Sequence, residues 1–176
     1  MGSHVSVVPN HQLNRKTPLH TRANVAYFGT FGYELDLNKL SYEEISEVKQ
    51  QIAFMKEYRE LIQFGTFYRL KSPFEGNETA WMTVSEDKKT ALVFWYRERN
   101  VVNADFTRVR LQGLDPDFIY RNEYNGTENY GDELMNLGLL TTDCTAGEPT
   151  SEDAPCTDYE SRIYVLTTVA RIPSPL

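Results

Sequence analysis

The sequence predicts a mainly β protein in which an antiparallel β-sandwich follows one long α-helix. Three observations carry this prediction. From residue 67 onward, short strand-like runs are separated by turn signals, as in a sandwich of antiparallel strands. The 176 residues include 11 tyrosines and 9 phenylalanines, whose rings pack well on pleated surfaces. Before the strands, a helical period with a clear start signal runs from Ser41 to Gln63.

The first 40 residues give weaker signals. Residues Met1–Arg22 contain two prolines and all three histidines with little periodicity, which predicts a loop. Residues Phe31–Leu37 predict a short strand. Glu34 and Asp36 have the same parity on this strand, so we expect their carboxylates to share one face.

The helix begins with a capping box, Ser41-Tyr42-Glu43-Glu44. Two apolar faces follow at helical spacing, the first of Ile45, Val48, Ile52, Met55 and Ile62, the second of Phe54, Tyr58 and Leu61. We therefore expect the second half of the helix to be buried on two sides, between two layers or two domains. Gly65 is expected to end it.

Five strands are predicted after the helix. They are Thr79–Ser85, Thr90–Arg97, Thr107–Gln112, Phe118–Glu123 and Ile163–Ile172. The run from Ala91 to Tyr96 is apolar throughout, which predicts a strand covered on both faces. Such strands bury their rings, so Trp81, Trp95 and Tyr96 fit a core better than a sugar-stacking platform.

Charge and composition argue against several classes of protein. The formal net charge of −7 disfavours nucleic acid as a partner, because phosphate binding needs a basic patch. No apolar run approaches the roughly 20 residues of a membrane span, and no signal peptide is visible, so a cytoplasmic location is expected. Cys144 and Cys156 lie in the acidic stretch Thr141–Glu160, for which a solvated surface loop is favoured over a cation site. Free thiols are favoured there, and a local disulfide stays open.

Two blocks are unusual enough to identify a family. They are Phe28–Leu37 and Ser72–Met82, and each lies at or just after a copy of the tetrapeptide Phe-Gly-Thr-Phe. Further matching runs are Gly2–Ser6, Pro9–Gln12, Gln51–Gly65 and Gly131–Asn136. Together these runs resemble the C-terminal part of a bacterial alpha-galactosidase of glycoside hydrolase family 36.

The resemblance implies a fold and a set of partners. Residues 1–65 would be the end of a catalytic (β/α)8 barrel, with its last strand near Phe31–Leu37 and its last helix at Ser41–Gln63. Residues 66–176 would be a C-terminal β-sandwich domain. The rest of the barrel is the implied partner, and contacts between copies of the chain are a further expectation.

The resemblance also implies hydrolysis of terminal alpha-linked galactose from oligosaccharides such as melibiose and raffinose. The family uses a retaining mechanism without a cofactor, in which two carboxyl groups lie close together. Its Lys-Trp-Asp and Ser-Asp-Asp motifs, which carry these carboxylates, do not occur in the 176 residues. We therefore expect the isolated chain to be inactive. The alternatives are a non-catalytic carbohydrate-binding module and a structural or oligomerisation module.

A few residues are candidates for a site at the implied barrel rim. Glu34 and Asp36 are the candidate carboxylates, although solvation or pairing with Arg22 or Lys39 is favoured. His4, Asn10 and His11 are candidates for substrate binding, because this stretch would border the active-site face; a structural role is favoured for them as well. No metal site is predicted, since the spacing of His4 and His11 matches no ligand signature.

Overall fold

The computed structural model of the chain describes residues 2–99, 101, 106–141 and 158–171. The chain forms two compact units, Met1–Phe64 and Gly65–Leu176. Cys144 and Cys156 lie outside the described residues, as does most of the acidic stretch Thr141–Glu160. Within the described ranges, no helix has the length and apolar character needed to cross a membrane.

The first unit contains two successive strand–helix pairs. Its elements are β1 (Val5–Ser6), α1 (Leu19–Ala26), β2 (Tyr33–Glu34), a 3-10 helix (Leu37–Lys39) and α2 (Tyr42–Phe64). The strands pair in parallel, with Val5 opposite Tyr33 and Ser6 opposite Glu34. Parallel strands that each lead into a helix are the repeating unit of α/β sheets and barrels.

The prediction of a loop over Met1–Arg22 is wrong, because this stretch contains β1 and the start of α1. A strand of 2 residues is too short to show alternation in the sequence. The buried positions of α1 include Leu19, Ala23 and Ala26, and the alanines give only a weak apolar stripe. The helix also lacks a side-chain cap, since Pro18 precedes it.

The strand expected at Phe31–Leu37 is shorter than predicted. Only Tyr33–Glu34 is extended in a ladder. Phe31 has a φ of 45°, which no strand allows, and Leu37 already belongs to the 3-10 helix. Local backbone geometry therefore limits β2 on both sides.

Helix α2 has the predicted start, and its end lies one residue beyond the prediction, at Phe64. The capping box is formed, because the Ser41 amide donates to Glu44 Oε2 at 2.8 Å and the Glu44 amide donates to Ser41 Oγ at 3.2 Å. The buried positions are Val48, Gln51 and Met55. Of the two expected apolar faces, the first is buried at Val48 and Met55, whereas the second is half-buried, with Phe54 packed against Tyr27 at a centroid distance of 4.8 Å.

The second unit is built on an antiparallel sheet, as predicted, and the sheet has six strands, of which the first and the last along its order were not predicted. Its strands are β3 (Thr66–Lys71), β4 (Glu78–Val84), β5 (Thr90–Arg97), β7 (Phe118–Asn122), β8 (Glu128–Tyr130) and β10 (Glu160–Arg171), in the order β3-β4-β5-β10-β7-β8. Strand β5 has the predicted bounds, and Ala91 to Trp95 are completely buried. The strand expected at Ile163–Ile172 begins three residues earlier than predicted.

A smaller layer covers one face of this sheet. It consists of β6 (Arg108–Val109), α3 (Gly131–Asn136) and β9 (Leu139–Leu140), with β6 and β9 paired as a separate ladder. The strand expected over Thr107–Gln112 is reduced to two residues, although its alternation is correct: Val109 and Leu111 are buried and Arg108 and Arg110 are exposed. The core lies between the two layers and includes Met82, Trp95, Leu111 and Leu134.

Polar side chains occupy one end of this core. The guanidinium groups of Arg97 and Arg162 each contact one oxygen of the Glu160 carboxylate at 2.5 Å. Both also lie over the ring of Trp95, with centroid distances of 5.3 and 5.9 Å. A partly buried carboxylate is thereby held by two cations on neighbouring strands.

Candidate functional site

The short parallel pair β1–β2 has two chemically different faces. Val5 is completely buried, and the Tyr33 hydroxyl donates to Gln51 Oε1 of α2 at 2.8 Å, so these residues face the helices. Successive side chains of a strand point to opposite faces. Ser6 and Glu34 therefore lie on the face away from the helices, and His4 shares that face with Ser6.

His4 and Glu34 are brought together on this second face. His4 Nε2 lies 2.6 Å from Glu34 Oε2, and their side chains are 52% and 73% exposed. The contact is an ion pair when His4 is protonated, and it joins the two strands. Two residues that were predicted as separate candidates thus form one polar pair. The alternative partner expected for Glu34, Arg22, contacts backbone carbonyls instead.

Asp36 does not join this pair, because it caps the 3-10 helix. Its Oδ1 accepts from the backbone amide and the side-chain amide of Asn38, both at 3.0 Å. These hydrogen bonds lower the pKa of Asp36, since they stabilise its charged form. Lys39 Nζ is 4.0 Å from Asp36 Oδ2, so the expected pairing with Lys39 is present. The Asp36 carboxylate therefore contacts residues of its own 3-10 helix.

Asn10 organises the loop that follows β1. Its Oδ1 accepts from the amides of Gln12 and Leu13, both at 3.0 Å. Its backbone amide donates to Arg15 O at 2.8 Å. The side-chain oxygen is therefore committed to the turn, while His11 lies exposed at its tip. These contacts indicate a structural role for Asn10.

The two ends of the same loop are joined by Arg22, which extends from α1. Its Nε donates to Thr17 O at 3.0 Å, and its Nη1 donates to Ser6 O. The sequence indicated Arg22 only as a partner for acidic side chains. Its actual partners are main-chain atoms, which leave no signal in the sequence.

The rings considered for a sugar platform lie largely inside the second unit, since Trp81 and Tyr96 are half-buried. Trp95 is completely buried, and Trp81 stacks on Phe94 with a centroid distance of 4.0 Å. In the described part of the chain, no group of three or more His, Cys, Asp or Glu residues is arranged to hold a metal ion.

Comparison with protein families gives two matches that together cover most of the chain. The Melibiase family matches residues 1–65. The glycosyl hydrolase family 36 C-terminal domain matches residues 78–166, which is half of the chain. The first matched segment ends one residue beyond the first compact unit, and the other lies within the second unit.

Similar proteins are alpha-galactosidases. Alpha-galactosidase AgaA of Geobacillus stearothermophilus is 54% identical over 139 residues, which cover 79% of this chain and 19% of that protein. The bifunctional alpha-galactosidase/sucrose kinase AgaSK of Mediterraneibacter gnavus is 46% identical, over 79% of this chain and 15% of that protein. The chain thus spans about a fifth or less of the length of these relatives.

Solved structures agree with this similarity. The crystal structure of AgaA from Geobacillus stearothermophilus matches with a TM-score of 0.85 at 47% identity, over 96% of this chain and 22% of that chain. The alpha-galactosidase of Lactobacillus brevis matches with a TM-score of 0.87 at 42% identity, over 100% of this chain and 23% of that chain. Variants of AgaA have been crystallised with raffinose and with stachyose.

Proposed function

Because this chain belongs to glycoside hydrolase family 36, we propose that it is part of an alpha-galactosidase. The enzyme removes terminal alpha-linked galactose from oligosaccharides such as melibiose and raffinose. The observation that carries this proposal is the 54% identity to AgaA, together with a fold that follows the crystal structure of AgaA over 96% of the chain.

Residues 1–65 form the end of the catalytic barrel in this proposal, and residues 66–176 form the C-terminal β-sandwich domain. The parallel pairing of β1 with β2, each leading into a helix, supports the assignment of the first segment. The two-layer packing of the second unit supports the assignment of the other. The inner face of barrel strands is the face opposite the helices, which here carries His4 and Glu34.

We assign His4 and Glu34 to holding adjacent strands together on that inner face. Their contact at 2.6 Å spans the two strands, which favours this role over that of a separate acid or base. The two carboxylates of the retaining reaction come from other parts of the barrel, since the family motifs that carry them do not occur in the sequence. We therefore expect the 176-residue chain alone to leave galactosides intact.

A segment exchange tests the proposed function. The corresponding segment of AgaA is replaced by the whole chain, and the chimera is assayed with 4-nitrophenyl alpha-galactoside. We expect turnover within about tenfold of AgaA, because surfaces that are half identical are expected to repack without losing the site geometry. AgaA truncated before the segment is the negative control, and 4-nitrophenyl alpha-glucoside checks specificity.

A chimera that folds but does not hydrolyse the galactoside would contradict the proposal. Folding is checked separately by circular dichroism and thermal unfolding, so that misfolding is not mistaken for loss of function. A cytoplasmic location and contacts between copies of the chain stay predictions of the sequence.

A further inference from the structure

Residues 7–17 form a loop, here named the rim loop, that leaves the carboxyl end of β1. Because β1 and β2 are parallel, this loop starts at the same edge as the segment that follows Glu34. In a (β/α)8 barrel, that edge is the one where substrates bind. The barrel assignment therefore places the rim loop on the substrate side of the strands.

The tip of the rim loop has a defined shape. Asn10 accepts two amides with its side chain, and the Asn14 amide donates to Asn10 O at 2.7 Å. Between them, His11 and Gln12 are exposed, and Arg15 is exposed on the return. These side chains offer hydrogen-bond donors and acceptors of the kind that sugar hydroxyls require.

The side chain of Arg22 joins the two ends of the rim loop. Arg22 donates to Ser6 O, immediately before the loop, and to Thr17 O, at the end of the loop. The guanidinium group presents its donors in a fixed planar fork, so one group sets the separation of both carbonyls. Lysine cannot reproduce this geometry, because its ammonium group is a single point of attachment.

Acidic side chains of α2 act electrostatically on Arg22. Burial lowers the pKa of the Arg22 guanidinium, and the charges of Glu44 and Glu47 act in the opposite direction. The group remains charged at neutral pH, since arginine starts from a very high pKa. Its two hydrogen bonds to carbonyls are therefore charge-assisted, and stronger than neutral ones.

We propose that Arg22 is a positioning residue for oligosaccharide binding, which joins the ends of the rim loop and so places its exposed polar side chains beside the sugar site. This inference rests on the proposed function, because the barrel assignment puts the rim loop at the substrate side. Arg22 itself does not touch the substrate. Its loss should weaken binding and leave the chemical step almost unchanged.

The first test compares variants within the chimera that contains the whole chain. In Arg22→Gln, we expect KM for raffinose to rise about tenfold with kcat within about twofold, because the lost interaction acts on binding. Arg22→Lys keeps the charge without the fork and should give an intermediate KM. Arg59→Gln is the matched control, since Arg59 is exposed on α2 of the same unit, and should change neither constant.

The second test uses the 176-residue chain itself and needs no activity. Hydrogen exchange is followed at the amides of Asn10, Gln12 and Asn14, whose bonds define the tip of the rim loop. In Arg22→Gln, these amides should exchange about tenfold faster, while amides in α2 keep their rates. Arg59→Gln should leave both groups of amides unchanged.

Two results would overturn the proposal. One is an unchanged KM for raffinose in Arg22→Gln, even if the variant melts at a lower temperature, because Arg22 would then only stabilise the fold. The other is unchanged exchange at the tip of the rim loop. If the unmodified chimera is inactive, the proposed function fails instead, and the exchange rates still decide whether Arg22 holds the loop.

Discussion

Removing the hydroxyl of Tyr120 should destabilise the second unit by about 2 kcal/mol, because a hydrogen bond contributes about 1 kcal/mol net. The side chain is 1% exposed. Its hydroxyl accepts from the Asp115 amide at 2.9 Å and donates to Lys88 O at 2.7 Å. One hydroxyl thus links the turn between β4 and β5 to the loop before β7. In Tyr120→Phe, both backbone groups lose this partner inside the protein.

The assay is equilibrium unfolding in urea, followed by tryptophan fluorescence. Both tryptophans of the chain, Trp81 and Trp95, belong to the second unit, so the signal reports that unit. We expect a lower midpoint with an unchanged slope, and a melting temperature lower by roughly 8 °C. Tyr130→Phe is the matched control, because Tyr130 is 43% exposed in the same unit.

A change below about 0.5 kcal/mol in Tyr120→Phe, equal to that of the control, would refute the reasoning, since surface substitutions typically fall in that range. It would mean that water replaces the hydroxyl at both backbone groups. A changed slope would instead point to a different unfolded state, and Tyr120→Leu would then separate the packing of the ring from its hydrogen bonds.

Two further predictions concern charge. Glu160→Gln should lower the free energy of unfolding of the second unit by about 3 kcal/mol, because the largely buried guanidinium groups of Arg97 and Arg162 lose their counter-ion. Glu128→Gln, on the exposed edge strand, is the control. Equal losses of stability in the two variants would contradict the prediction. Stability of the first unit should fall above pH 10. Burial raises the pKa of Tyr33 to about 12 and also raises the pKa of Tyr27. The unfolded chain therefore loses these protons first, and the stabilisation present below pH 10 is lost as the pH rises. Urea unfolding at pH 8 and at pH 11, followed by circular dichroism, measures this loss of stability. Ionisation of Tyr27 and Tyr33 near pH 10 in the folded chain, seen by ultraviolet absorbance, would contradict the prediction.

The elements that the sequence predicted well are those specified by neighbouring residues. The start of α2 follows from Ser41 and Glu44, which lie three positions apart and bond each other's amides. The bounds of β5 follow from one uninterrupted apolar run between turns. The contacts that start α2 and the composition that sets the bounds of β5 each lie within one short segment of the sequence.

The elements that the sequence missed depend on distant partners. Strand β1 has two residues and exists because β2 lies beside it, 28 positions further along the chain. Strand β9 (Leu139–Leu140) was likewise missed, and it pairs with Arg108–Val109 of the expected strand Thr107–Gln112. Such short strands show no period, so pairing across the chain decides whether they form at all.

The candidate site likewise combines features that the sequence specifies locally with contacts between distant residues. The sequence by itself determined the family, the long capped helix, the buried central strand and the polar character of His4 and Glu34. Only the tertiary structure decided that these two side chains meet, because the parallel register of β1 and β2 brings them to 2.6 Å. Only the tertiary structure gave Arg22 its partners, Ser6 O and Thr17 O. Every residue carries the same backbone carbonyl, so a hydrogen bond to one is specified by the path of the chain and not by the identity of the residue.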